Sequence, residues 1–306
     1  WRQNEGHLLV AIPDKTFFAV DGAHSCRCQP AILPNHVHLE SAARPQSGDA
    51  ALRPGGGERG QQVDLTRMAD IQRMLESALR EFGKIDILWF DFSYPKEDGT
   101  GKGHKDWESE KLVKLVRKLQ PHVILDDRLD LPGVWDIKTP EQTQPREWVK
   151  VDGQPVVWEA CQTFSGSWGY HRDEMTWRSV DELIRTLIDC VSKGGNFLLN
   201  VGPTGRGEFD ERALTRLAGI GEWMKRHSRS IYGCTQAPDE FKCPQDCRLT
   251  YNPDTKRLYV HVLAWPHRHL HLDGKAFVER VKYGQLLNDA SEMRFSDPPG
   301  HLKMSD

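Results

Sequence analysis

From Val63 onward, apolar and polar positions follow a repeating order. Residues 64–82 set Met68, Ile71, Met74, Leu75, Leu79 and Phe82 on one helical stripe, and Gly83 follows, which predicts a helix and its end. IDILWFDFSY (85–94) is an apolar run broken by one acid, Asp91, and predicts a strand buried on both faces. A second helix over 107–119 carries Leu112, Val113, Leu115, Val116 and Leu119 and stops before Pro121. HVILDDR and PVVWEACQT predict two more strands. Ser179 and Glu182 have the spacing of a capping box ahead of a helix with Leu183, Ile184, Leu187, Ile188 and Val191 on one face, closed by Gly194 and Gly195. NFLLNVGPTG is a fourth strand and ERALTRLAGIGEWMKRH a further helix. Short apolar strands alternating with helices predict a parallel sheet covered on both faces. Four such units over about 165 residues amount to half of a (β/α)8 barrel.

The flanks read differently. Residues 1–62 are rich in Pro, Gly, Ala and charge, with no sustained period; only HLLVAIP and TFFAVDG look like strands, and 40–62 reads as linker. From residue 231 to 306 the helical period disappears. CRLTYNP, RLYVHVLAW, HLHLDG and VERVKYGQLLND, set off by Asn252-Pro253 and Asp273-Gly274, predict a small antiparallel β domain.

Composition narrows the function classes. The 306 residues have 38% hydrophobic content and a net charge of -3, which offers no basic excess for nucleic acid. No run approaches the roughly 18 apolar residues of a membrane helix. The N-terminus lacks the charged and apolar regions of a signal peptide, and seven cysteines without a regular framework suggest reduced thiols; both point to a cytoplasmic setting. Ten tryptophans suit sugar-binding platforms, although ordinary burial explains tryptophans as well. Cys234, Cys243 and Cys247 lack zinc-ribbon spacing, and His267, His269 and His271 fit a solvated strand face better than a metal site. GTGKGHK (99–105) matches neither common phosphate-loop pattern and reads as a solvated loop.

In a parallel barrel the chemistry collects at the C-terminal strand ends. Asp91 and Arg128 both fall there. Ile87, Trp89 and Asp91 share one face of their strand, so an indole stands beside a carboxylate, an arrangement suited to the positive charge that grows on a sugar ring as a glycosidic bond breaks. An Asp that caps the next loop or pairs with a Lys would look the same. Asp126 or Asp127 could simply pair with Arg128. Glu141, in the loop after Pro140, supplies the second carboxylate that a retaining glycosidase needs about 5–5.5 Å from the first.

These residues together resemble a known family. LWFD, DDR, DIKTPEQ, VWEACQTFSGSWGY, SKGGNFLLNVGPTGRGEF and IYGCT occur in the order found in glycoside hydrolase family 29, the retaining α-L-fucosidases. The resemblance runs from about Val63 to about Phe295 and is most diagnostic in GGNFLLNVGPTGRG. It implies residues 63–230 as the C-terminal half of a (β/α)8-type catalytic domain and 231–306 as a shortened β-sandwich, with 1–62 outside the match. By position it implies Asp91 as nucleophile, Glu141 as acid/base with Glu159 as rival, and Trp89, Arg128 and Trp158 as substrate contacts. No cofactor or metal is implied, and the partner is a fucosylated oligosaccharide.

The His-Trp-Gly and His-His-Asp-Gly motifs of the family's N-terminal half-barrel are absent from this chain. A half-barrel exposes strand edges and an apolar interior, so a homo-oligomer, or the N-terminal segment, is expected to cover it. Two functions follow: an exo-acting, metal-independent α-L-fucosidase weakened by the missing sugar contacts, or an impaired remnant that binds fucosylated glycans at most.

Overall fold

A computed structural model of the chain describes residues 7–11, 37–39, positions 69, 72, 73, 75, 76, 79 and 80, and then 83–91, 93–96, 98, 101–266 and 270–295. The linker read over 40–62 and the strand read in TFFAVDG lie outside the described residues. HLLVAIP does supply a strand, β1 (His7–Ala11), which pairs antiparallel with β2 (Val37–Leu39) on one side and β3 (Ile87–Asp91) on the other. Its register sets His7 opposite Asp91 and Leu9 opposite Trp89. One edge of β3 is therefore covered by backbone from the chain's own N-terminal segment. On its other edge β3 runs parallel to β4 (Ile124–Leu125).

The unbroken apolar run of β3 follows from burial on two faces. Leu88 and Phe90 face a cluster with Leu75, Leu112, Val116, Leu125 and Leu129. Trp89, of opposite parity, packs with Ile137, Cys161 and Leu198. The described positions between 69 and 80 are helical, and Gly83 closes that helix at φ 77°, its N–H donating to Leu79 O at 2.9 Å.

The helix expected over 107–119 is two helices. These are α1 (His104–Trp107) and α2 (Ser109–Leu119), hinged at Glu108, whose φ is 51°. The break lets Trp107 sit edge-to-face on Phe90, while Leu112 and Val116 of α2 keep the stripe read from sequence. After β4 the chain doubles back, Asp136 and Ile137 donating to Leu125 O, and residues 138–141 then run parallel beside β7 (Glu159–Thr163). Between them β5 (Lys150–Val151) and β6 (Gln154–Pro155) form a hairpin. Its turn, Asp152-Gly153, has both φ values positive, as a two-residue hairpin requires. β7 is in turn parallel to β8 (Asn196–Asn200).

The chain divides into two compact units, residues 1–179 with 195–215 and residues 180–194 with 216–306. The first holds the mixed α/β strands above. The second contains α3 (Val180–Ser192), most of α4 (Glu211–His227) and an antiparallel sheet in the order β11-β10-β9, formed by Arg257–Val262, Cys247–Asn252 and Thr235–Gln236. Its cores group Ile188, Val191 and Ile231, and separately Ala237, Leu249 and Phe277.

The strands expected in HLHLDG and VERVKY are absent among the described residues. Instead Gly274, at φ 114°, reverses the chain into α5 (Lys275–Arg280). Phe277 and Val281, one helical turn apart, both pack on Leu249's cluster. His267 and His269 lie outside the described residues, and His271 is exposed on a loop. Among the described residues no helix is long and apolar enough to cross a membrane.

Candidate active site

Two acids of the first unit, Asp91 and Glu141, and one arginine, Arg128, define the site. Residues 126–128 (DDR) leave β4 with a separate task each. Asp126 is buried and accepts the Phe90 N–H at 2.8 Å, pinning β3 to β4. Burial drives its carboxyl well above the usual carboxylate range, with the Arg128 charge pulling the other way. Asp127 accepts from both the backbone N–H (3.0 Å) and the hydroxyl (2.7 Å) of Thr139 and pairs with Lys138 at 3.2 Å. The ion pairs of Arg128 are thus made elsewhere than with its two acidic neighbours.

The Arg128 side chain, 8% exposed, donates through Nε to Thr139 Oγ1 at 2.9 Å, which fixes the plane of its fork. Its Nη1 then reaches two carboxylates, Asp91 Oδ1 at 3.1 Å and Glu141 Oε2 at 2.6 Å. Those two oxygens lie no farther apart than the two bonds laid end to end. That upper limit on one oxygen pair is compatible with the carboxyl spacing of about 5–5.5 Å in retaining glycosidases. The Arg128 guanidinium carbon also stands 5.2 Å from the centre of the Trp89 ring. Asp91, Glu141, Arg128 and Trp89 are brought together as one cluster.

Trp158 is not among them. It precedes β7, its parity is opposite to that of Glu159 and Cys161, and it has no exposed surface. It pairs with Lys138, three residues before Glu141, about 10 Å back along the strand direction. Its indole packs on Gly195, where any Cβ would fall within the ring. Trp158, read from the sequence as a substrate contact, thus lies buried and apart from the Asp91–Arg128–Glu141 cluster.

Cys161 lies under the cluster, bridged to Glu141 and packed on Trp89. Burial pushes its thiol up to about 12, and the negative charges of Glu141, Glu159 and Asp91 add to this against Arg128. It is an inert wall. Glu159 shares the face of Cys161 two residues earlier, and burial raises its carboxyl to about 7. Among the described residues no group of three His, Cys, Asp or Glu could hold a metal ion.

Sequence reasoning passed over Thr139 and offered Asp127 only as an ion-pair partner of Arg128, whereas Asp127 holds the Thr139 that orients it. Their signal was the motif pair DDR and DIKTPEQ, spaced to place a hydroxyl beside a guanidinium. It also dismissed Lys102, which sits half-buried in the loop after β3 with Nζ 3.5 Å from the centre of the Trp107 ring.

A loop rich in aromatic and polar residues follows β7. Trp168 leans on the Trp89 cluster, and its carbonyl accepts from Asn200 Nδ2 at 2.6 Å. Hydrogen bonds from Ser167 and Thr176 hold the Glu174 carboxyl down at about 2. Arg212 clamps the same loop through Glu174 O at 2.9 Å and Arg172 O at 3.1 Å.

A family model described as alpha-L-fucosidase matches residues 60–229. The plasma alpha-L-fucosidase of Rattus norvegicus is 34% identical over 128 residues, 40% of this chain and 27% of that protein. The alpha-L-fucosidase of Dictyostelium discoideum is 42% identical over 82 residues, 26% of this chain and 18% of that protein. Among solved structures, alpha-L-fucosidase isoenzyme 1 from Paenibacillus thiaminolyticus superposes with a TM-score of 0.64 at 37% identity, over 74% of this chain and 54% of that one. The chain spans about a quarter of the length of the first curated relatives it matches.

Proposed function

Since the chain belongs to the alpha-L-fucosidase family, we propose that the Asp91–Arg128–Glu141 cluster hydrolyses terminal α-L-fucose from glycans with retention of configuration. The single observation that carries this reading is that both carboxylates sit on one Arg128 nitrogen. In the first step an Asp91 oxygen attacks the anomeric carbon as the glycosidic C–O bond breaks. The Glu141 carboxyl gives its proton to the departing oxygen, leaving a fucosyl ester on Asp91. In the second step Glu141 takes a proton from water, the resulting hydroxide attacks the anomeric carbon, and Asp91 leaves as carboxylate. A sugar hydroxyl in place of water would give transfer. Trp89 lines the ring whose positive charge grows in the transition state of each step, and Arg128 supports the two carboxylates.

The architecture that fits this reading is part of a (β/α)8-type barrel, with β3, β4, residues 138–141, β7 and β8 as successive parallel elements and 63–230 as the catalytic portion. The sheet β11-β10-β9 would then belong to a β-sandwich. Trp158 has a packing role in this scheme. Glu159, below Cys161 on β7, stands farther back along the strand than Glu141, which makes Glu141 the acid/base.

Release of nitrophenol from a chromogenic α-L-fucoside tests the assignment. Asp91→Ala is expected to fall to background, and Glu141→Gln to lose about 10²–10⁴-fold in kcat on a substrate whose leaving group needs a proton. Equal rates from wild type and Asp91→Ala would refute the nucleophile assignment, and no release by wild type would leave only the glycan-binding remnant.

A further inference from the structure

A retaining glycosidase releases its leaving group on the side of the acid/base, so the next sugar of a substrate belongs beside Glu141. Glu141 bridges to Cys161 on one edge of β7, and β8 pairs with the other edge. A loop over 164–178 leaves the C-terminal end of β7, the end at which parallel strands collect their chemistry. The loop is closed on itself. Arg178 N donates to Phe164 O at 2.9 Å and Gly166 N to Thr176 Oγ1 at 3.0 Å, and Arg212 holds the far side through two backbone carbonyls. Gly202, just past β8, lets the chains abut, because a Cβ there would lie 2.4 Å from the Gly169 carbonyl carbon. Between this loop and the end of β8 is a pocket with Ser167, Tyr170, His171, Glu174, Trp177 and Asn200 on its walls.

Two connections tie the pocket to the catalytic cluster. Gln142, the neighbour of Glu141, donates to Thr163 Oγ1 at 2.9 Å, and that hydroxyl donates in turn to Ser165 O at the pocket wall. Trp168 packs on the Trp89 cluster, while its carbonyl accepts from Asn200 Nδ2 at 2.6 Å. Asn200 also shares a face of β8 with Leu198, which packs with Trp89 and Cys161. One wall of the site therefore continues into the pocket.

The lining identifies the ligand. Tyr170, 40% exposed, and Trp177 supply aromatic surface for the apolar face of a pyranose. Trp177 is fixed, its Nε1 donating to Glu174 O at 3.1 Å and its ring centre 4.8 Å from the Arg212 guanidinium carbon. The Glu174 carboxylate, anchored by Ser167 Oγ at 2.6 Å and Thr176 N at 2.7 Å, stands with the Asn200 amide and the His171 imidazole as groups suited to hydroxyls. Among the described residues no Lys or Arg lines the pocket, and an anion would meet Glu174, so a neutral ligand is favoured.

Resting on the fucosidase reading, we propose that this pocket is the subsite for the sugar to which fucose is joined, a neutral hexose or N-acetylhexosamine. Tyr170 and His171 set the preference for that sugar. Fucose itself stays between Asp91 and Glu141, so the pocket acts only on substrates whose leaving group is a sugar.

The test compares two kinds of substrate in the full-length protein. α-L-Fucosyl fluoride has a one-atom leaving group and does not reach the pocket. Disaccharides of fucose with galactose or with N-acetylglucosamine, in each linkage, fill it. In Tyr170→Ala and in His171→Ala the ratio of kcat/KM for the best-cleaved disaccharide to that for the fluoride should fall about 3–10-fold, and Tyr170→Phe should restore most of it. Both side chains are exposed, and should one variant not fold, the other carries the test. An unchanged ratio in a folded variant overturns the subsite, as does a wild type that cleaves the fluoride and no disaccharide. Absence of fluoride cleavage by wild type refutes the fucosidase reading itself, and the subsite with it.

Discussion

At Arg128 one planar group meets five demands at once: an ion pair on either side, a hydroxyl, a backbone carbonyl and an indole face. A flexible ammonium cannot reproduce that fork. Arg128→Lys is therefore expected to lower kcat/KM about 100-fold, because the two carboxylates lose their common anchor and drift from attack geometry. Unchanged kinetics with Lys at 128 would show that the guanidinium is dispensable. Asp91 and Trp89 were legible in the sequence through alternation along an apolar strand, since their shared face follows from period two alone. The same rule, applied to VWEACQT, sets Trp158 on the face opposite to Glu159 and Cys161. What the sequence could not supply was which face of that strand points inward. The 50-residue separation of Asp91 and Glu141 likewise carried no distance.

At the scale of elements, β3, β4, β7, β8 and the longer helices from 109 to 227 were readable because each carries its own burial pattern, whereas the β5–β6 hairpin was not, and α4 falls on the segment read as ERALTRLAGIGEWMKRH. The exceptions are contacts made at a distance. Glu108 breaks a helix so that Trp107 can reach Phe90, and Phe277 turns a strand-like segment into α5 by packing on Leu249 and Phe241. The close fit of Gly195 under Trp158 belongs to this scale too. Gly195→Ala should cost about 1–3 kcal/mol or more, read as a lowered midpoint in chemical unfolding, since a rigid ring, rather than a flexible side-chain tip, blocks the methyl. Wild-type stability in that variant would mean the ring is free to move aside.

For the whole molecule, pH should act on the two units in opposite senses. In the first, burial raises the Glu159 carboxyl to about 7, so the folded state binds the extra proton and its stability declines as pH rises from about 4.5 to 7. Asp126 acts in the same direction. In the second, burial and His227 lower His261 to about 4, where its Nε2 lies 2.9 Å from the Thr250 hydroxyl. Its unfolded form takes up protons first, so stability there declines as pH falls from about 6.5 to 4. Between pH 7 and pH 5 each group contributes about 2 kcal/mol, with opposite signs. Amide-exchange protection, corrected for intrinsic rates, is expected to rise in β7 and fall in β10 over that interval. Movement in the same direction in both strands would exclude this assignment.

The sequence by itself determined most of the elements between 85 and 227, the order of the family motifs and the parity that aims Trp89 and Asp91 to one side, because periodicity is a local property of the chain. Tertiary structure alone decided the rest. It put Glu141 and Asp91 on one Arg128 nitrogen, left Trp158 with no exposed surface and set Lys102, in a discounted loop, over the Trp107 ring. Each of these depends on through-space distance between strand ends, and electrostatic coupling follows that distance rather than separation along the chain.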